Sequence, residues 1–139
     1  MMRLLLTTFC FLPLLFSCKS TQYTPKNYKG SQIIAGSSGG VTGMMKEYIL
    51  LDNGHLFLSK GLTGEWKEVR KLKKSKTREI FKKAEILGLS TVKFKHPGNM
   101  TYYLNLKQPP RSNEIKWGES GISPPEGISE FYNYLLSNF

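Results

Sequence analysis

Few residues in this chain are suited to chemistry, and their spacing limits what they can do. Gly36-Ser37-Ser38-Gly39-Gly40 spells G-x-S-x-G, the pattern in which a strained strand-to-helix turn lifts a nucleophilic serine out of a sheet. That arrangement needs a helix after the turn and a histidine within reach. Here a second strand is expected to follow, so the segment reads as a glycine-rich connection. Exposed amides in such a run can cradle an anion, but no Gly-Lys-Ser/Thr ending follows to make a nucleotide loop. His55 and His96, with Asp52 as the only aspartate, supply too few ligands for a metal centre without recruiting scattered glutamates. A carboxylate pair can be drawn from Glu114, Glu119, Glu126 and Glu130, of which Glu126 is expected in a helix cap. Glu114 and Glu119 are the pair taken for acid and base work, which carries a small hydrolase as the alternative function. No catalytic residue, metal or cofactor is assigned.

The basic residues say more. The chain has a formal charge of +10, and most of the excess lies between Lys60 and Lys95. Lys67, Arg70, Lys71, Lys73, Lys74, Lys76, Arg78, Lys82 and Lys83 crowd the approach to a helix and its exposed side. Such a concentration of one sign raises the local concentration of anionic partners, whatever the fold. Aromatic residues offer a second surface. Strand and helix periodicity accounts for Tyr102, Trp117, Phe131 and Tyr132 as core, leaving Tyr103 and Tyr134; Tyr103, with Lys107 and Lys116, is the expected recognition patch on the uncovered face of a sheet.

Periodicity gives the elements that must position these groups. A short strand over Ile33 to Ala35 leads into the glycines; Met45 to Leu51 is a strand, and Asp52-Asn53-Gly54 is a hairpin turn before Leu56 and Leu58. Ser75 is the expected N-cap of a helix carrying Ile80, Phe81, Ala84 and Leu87 inward, closed by Gly88 with Leu89 folding back. Met100, Tyr102, Leu104 and Leu106 alternate with Thr101, Tyr103, Asn105 and Lys107, and Ile115 and Trp117 repeat that period after Pro109-Pro110. Ser123-Pro124-Pro125-Glu126 reads as a capping box opening a helix that buries Ile128, Phe131, Tyr132, Leu135 and Leu136. The expectation is an α+β domain over 32–139, with an antiparallel sheet of four or five strands and two helices on one face, in the order β-ββ-α-ββ-α.

The first residues differ in composition from everything after them. Met1 to Arg3 give a positive start, and Leu4 to Phe16 are almost unbroken apolar residues. A spanning helix needs roughly 20 such residues, so this shorter run suits the core of a removable signal peptide over 1–17. At its end, Leu15-Phe16-Ser17-Cys18 resembles the lipobox of bacterial lipoproteins. The resemblance implies cleavage before Cys18 and a diacylglycerol on its sulfur, which holds firmly once two or three acyl chains are present. Cys10 leaves with the leader, so the folded part keeps no thiol. Residues 18–31, punctuated by Pro25 and Gly30, read as the lipidated cysteine and a flexible tether.

The glycine-rich opening, the Asn53-Gly54 hairpin, the lysine-rich helix, Pro97-Gly98-Asn99-Met100 and Trp117-Gly118 together resemble a family of small uncharacterised bacterial lipoproteins. The resemblance implies no activity. The resulting expectation is a lipid-anchored envelope protein, periplasmic and on the outer membrane. Its domain is a non-enzymatic module for a protein or an anionic glycan or lipid. Nucleic acid is scarce in that compartment.

Overall fold

The computed structural model describes residues 22–61 and 64–139. The expected leader, the lipobox and Cys18 lie outside them. The elements are β1 (Gln32–Gly39), β2 (Met45–Leu51), β3 (His55–Lys60), β4 (Lys67–Lys71), α1 (Lys74–Ile86), β5 (Met100–Gln108), β6 (Arg111–Trp117) and α2 (Ile128–Asn138). All strands form one antiparallel sheet in the order β4-β3-β2-β1-β5-β6. β1 therefore sits at the centre, with a meander on one side and the β5–β6 hairpin on the other. The α+β class holds, with six strands among the described residues in place of four or five.

The helices cover one face. Ile33 and Ala35 of β1, Leu50, Leu56, Leu104, Leu106, Ile115 and Trp117 meet Ile80 and Ala84 of α1 and Ile128, Phe131, Tyr132 and Leu135 of α2 in one buried cluster. α1 ends as its sequence dictates. Gly88 takes a φ of +65°, its amide bonds the Glu85 carbonyl, and the Leu89 amide reaches back to Ala84 at 3.1 Å.

The opposite face has a core of its own. Ile34, Ile49, Leu51, Phe57 and Tyr103 form a second cluster, with Tyr28 and Trp66 packed against it. This second cluster corrects the reading of β5. Tyr103 is 8% exposed, whereas Tyr102, expected inside, is 37% exposed. Alternation identified the two faces, but a strand with apolar surface on both sides cannot be polarised by period alone.

β4 was not anticipated. Four of the five residues in Lys67-Glu68-Val69-Arg70-Lys71 are charged, and all five are exposed. An edge strand needs no apolar stripe, because charged side chains and irregularity keep a sheet edge from pairing with other chains. A register shift opposite Leu56 and Phe57 leaves Val69 as an extra residue, a bulge of that kind. β1, by contrast, runs through the glycines to Gly39, so Ser38 lies inside a strand and not at a strand-to-helix turn.

Both expected helix starts shift. α1 begins at Lys74 behind an N-cap at Lys73, with no side-chain cap, and Thr77 donates its hydroxyl to the Lys73 carbonyl at 3.2 Å. Ser75 is thus inside the first turn. α2 begins after Gly127, whose φ of +82° sets the entry, while the Ile128 amide bonds Pro125 at 3.2 Å. Pro125 to Gly127 form a turn before the helix, and Ser123 to Glu126 make no capping box.

Part of the stretch read as a tether is docked. Pro25 is buried, its carbonyl accepts from Gln32 Nε2 at 3.1 Å, and the Ser31 amide donates to Asp52 Oδ2 at 2.7 Å. Tyr28 donates its hydroxyl to Asp52 Oδ1, and burial with this carboxylate pushes the phenol up to about 12. Asp52 therefore holds the N-terminal segment on the sheet as well as serving its turn.

Candidate functional site

The basic residues converge where β4 hands over to α1. Leu72, half-buried against the main core, donates its amide to Gly54 at 2.9 Å, which pins the joint to the β2–β3 turn. On either side Arg70, Lys71, Lys73 and Lys76, with Leu72 and Asn138, line a hollow of about 340 Å³. No carboxylate lines it. The first turn of α1 brings no acidic side chain either, so the positive end of the helix dipole adds to the same sign.

The nine predicted cations do not act as one group. Arg70 donates from Nη2 to the Asn138 carbonyl, which ties β4 to the end of α2. Lys76 donates to the Tyr134 hydroxyl at 2.7 Å, and that hydroxyl donates to Glu79 Oε1 at 2.6 Å. Lys76 and Lys83 also stand over the Tyr134 ring, at 4.8 and 4.6 Å from its centre. The hydrogen bond to Tyr134 raises the Lys76 pKa, and the bond from Tyr134 lowers that of Glu79. Lys67 lines a separate hollow with Lys60, Glu65 and Trp66 at the other end of β4. Lys74, Arg78 and Lys82 stand exposed on α1.

The expected patch of Tyr103, Lys107 and Lys116 divides. Tyr103 pairs with Lys116 across β5 and β6, and both border a polar hollow of about 420 Å³ with Ser38, Glu47, Thr101 and Glu114. Lys107 lies four residues further along β5, about 13 Å away at strand rise. Tyr103 reaches across the sheet because Gly36, its partner on β1, has no side chain. Its ring lies over that glycine, and its hydroxyl donates to Glu47 Oε2 on β2 at 2.6 Å. Burial, then this carboxylate, raises the phenol pKa strongly. Glu47 was missed; the signal available was its place in β2, where Gly36 is the residue opposite.

Nor does the expected carboxylate pair assemble. Glu114 accepts from Lys116 at 3.2 Å, and Glu119 lies 3.1 Å from His96 Nδ1 in the loop beyond β6. The polar hollow holds Glu47 and Glu114 instead, one occupied by a tyrosine and the other by a lysine. His55 is 2.6 Å from Glu68. Among the described residues, no three His, Cys, Asp or Glu groups come together as metal ligands.

Compared with known proteins, the chain matches no protein-family model and no curated protein sequence.

Proposed function

We propose that this chain is a lipid-anchored protein of the bacterial cell envelope. In this reading Cys18 is lipidated, and the mature chain is held on the periplasmic face of the outer membrane. Its domain is a non-enzymatic binding module that takes an anionic envelope component. The observation that carries the reading is the hollow at the β4–α1 joint: Arg70, Lys71, Lys73 and Lys76 line it beside a helix N-terminus, its lining holds no carboxylate, and Lys71 and Lys73 stay outside the Asn138, Tyr134 and Glu79 contacts that engage the other two. Among the described residues no helix is long and apolar enough to cross a membrane, so the reading takes its attachment from the lipobox resemblance.

The charge argument predicts a definite salt dependence, because exposed charges are screened beyond about 10 Å at moderate ionic strength. Titration of the mature protein against anionic vesicles and anionic glycan fragments should show binding at low salt that weakens steeply at high salt. Binding of equal strength at both, or to neither probe, overturns the reading. The hydrolase alternative gains no pair from Glu114 and Glu119, which rest on different partners.

A further inference from the structure

The register of the sheet sorts its loops into two ends, and their charges differ. At one end lie the docked segment 23–31, the β2–β3 turn 52–54, the β4–α1 joint 71–74 and the β5–β6 turn 108–111. These segments carry Lys26, Lys29, Lys71, Lys73, Lys74 and Arg111 against a single acid, Asp52. Asp52 is already taken by Tyr28 and the Ser31 amide. All six cations are exposed. At the other end, residues 40–44, 61, 64–66, 95–99 and 118–127 carry one lysine, Lys95, against Glu65, Glu119 and Glu126. The adjoining strand ends add Lys46, Lys60 and Lys67 on one side of the count and Glu47 on the other, so this end carries four cations against four acids.

The chain also leaves the domain at the cationic end. Tyr23 packs on Tyr28 and His55, with ring centres 5.7 and 5.3 Å apart, and His55 pairs with Lys71. Tyr23 is five residue steps from Cys18, a reach of at most about 17 Å. The eight residues of β1 alone set the far end about 26 Å beyond that exit. A chain tethered at Cys18 therefore meets its membrane with the cationic end unless it lies on its side.

We infer that this end of the sheet, with Lys26, Lys29, Lys71, Lys73 and Arg111, is seated on the anionic headgroups of the membrane that holds the lipid, with the strands standing up from the surface. The inference rests on the anchor proposed above and names its partner as anionic phospholipid. The footprint from β4 to β6 is five strand steps, about 24 Å across, enough to spread these charges over several headgroups.

The test uses the full chain produced in a lipoprotein-processing host and reconstituted into vesicles, with a fluorophore on Ser112→Cys at the cationic end or on Thr42→Cys at the far end. A quencher is carried on the lipid headgroups. On phosphatidylglycerol–phosphatidylcholine vesicles the label at 112 should be quenched several-fold more than that at 42. Pure phosphatidylcholine, high salt or the triple change Lys26→Glu, Lys29→Glu, Arg111→Glu should erase most of that difference. Equal quenching, stronger quenching at 42, or a difference indifferent to lipid charge overturns the orientation while leaving the anchor intact. Intact mass reports the premise separately: an unmodified Cys18 overturns the anchor and the orientation with it.

Discussion

Replacing Gly36 by alanine isolates the device that places Tyr103. Alanine in a strand normally gains 0.5–1 kcal/mol over glycine, roughly, because less backbone entropy is lost on folding. Here the added methyl would meet the Tyr103 ring at its hydroxyl end, so the ring must lift away from Glu47. A hydrogen bond to a carboxylate contributes about 1.5–3 kcal/mol, and overpacking a buried ring costs about 1–3 kcal/mol more. The net expectation for Gly36→Ala is a loss of about 2–4 kcal/mol, a fall of roughly 10 °C in Tm for a domain of this size. Tyr103→Phe keeps the ring in place and should lose the hydrogen-bond part alone, about 1.5–3 kcal/mol.

Urea denaturation of a double-mutant cycle with Tyr103→Ala gives the decisive comparison. In that background position 36 has room, and Gly36→Ala should become neutral or slightly stabilising. The two changes should then couple by about 2–4 kcal/mol, well above the ~0.5 kcal/mol scatter of independent sites. An equal effect of Gly36→Ala in both backgrounds, or a stabilised single variant, would refute the placement of the tyrosine over the glycine.

Three further outcomes are expected. Asn113, 7% exposed, donates to the carbonyls of Leu89 and Val92 at 2.7 and 2.8 Å; Asn113→Ala should cost about 2–4 kcal/mol and speed hydrogen exchange in residues 88–94. Tyr28 is raised from 10.0 to about 12, so its contribution is complete below pH 10 and is lost as pH climbs from 10 through 12. Wild-type stability measured by urea titration should therefore fall more steeply over that window than that of Tyr28→Phe. Lys71→Glu with Lys73→Glu should weaken binding to anionic vesicles by about thirtyfold, at about 1 kcal/mol per lysine removed, with unfolding unchanged to within ~0.5 kcal/mol; Lys82→Glu, away from the hollow, should leave binding nearly unaltered.

Local rules settled much of the fold. The span of β2, the Asn53-Gly54 hairpin and the Gly88 helix end depend on contacts within a few residues, and each stands where the sequence pattern puts it. The two helix starts failed for the opposite reason. Their cap signals at Ser75 and at Ser123 to Glu126 are genuine local options, and the packing of Leu72 and the turn at Gly127 take the chain elsewhere. β4 was invisible because an exposed edge strand has no burial to record in its residue types.

The sequence by itself determined composition and period: an excess of positive charge, an α+β order, and which residues can share a strand face. Only the tertiary structure decided which faces are buried, since two clusters on opposite sides of one sheet reverse the roles of Tyr102 and Tyr103. It alone gathered Arg70, Lys71, Lys73 and Lys76 around one hollow and drew Lys26, Lys29 and Arg111 to the same end of the sheet. Charge is carried by each residue alone, whereas its position depends on strand pairings that join residues dozens of positions apart.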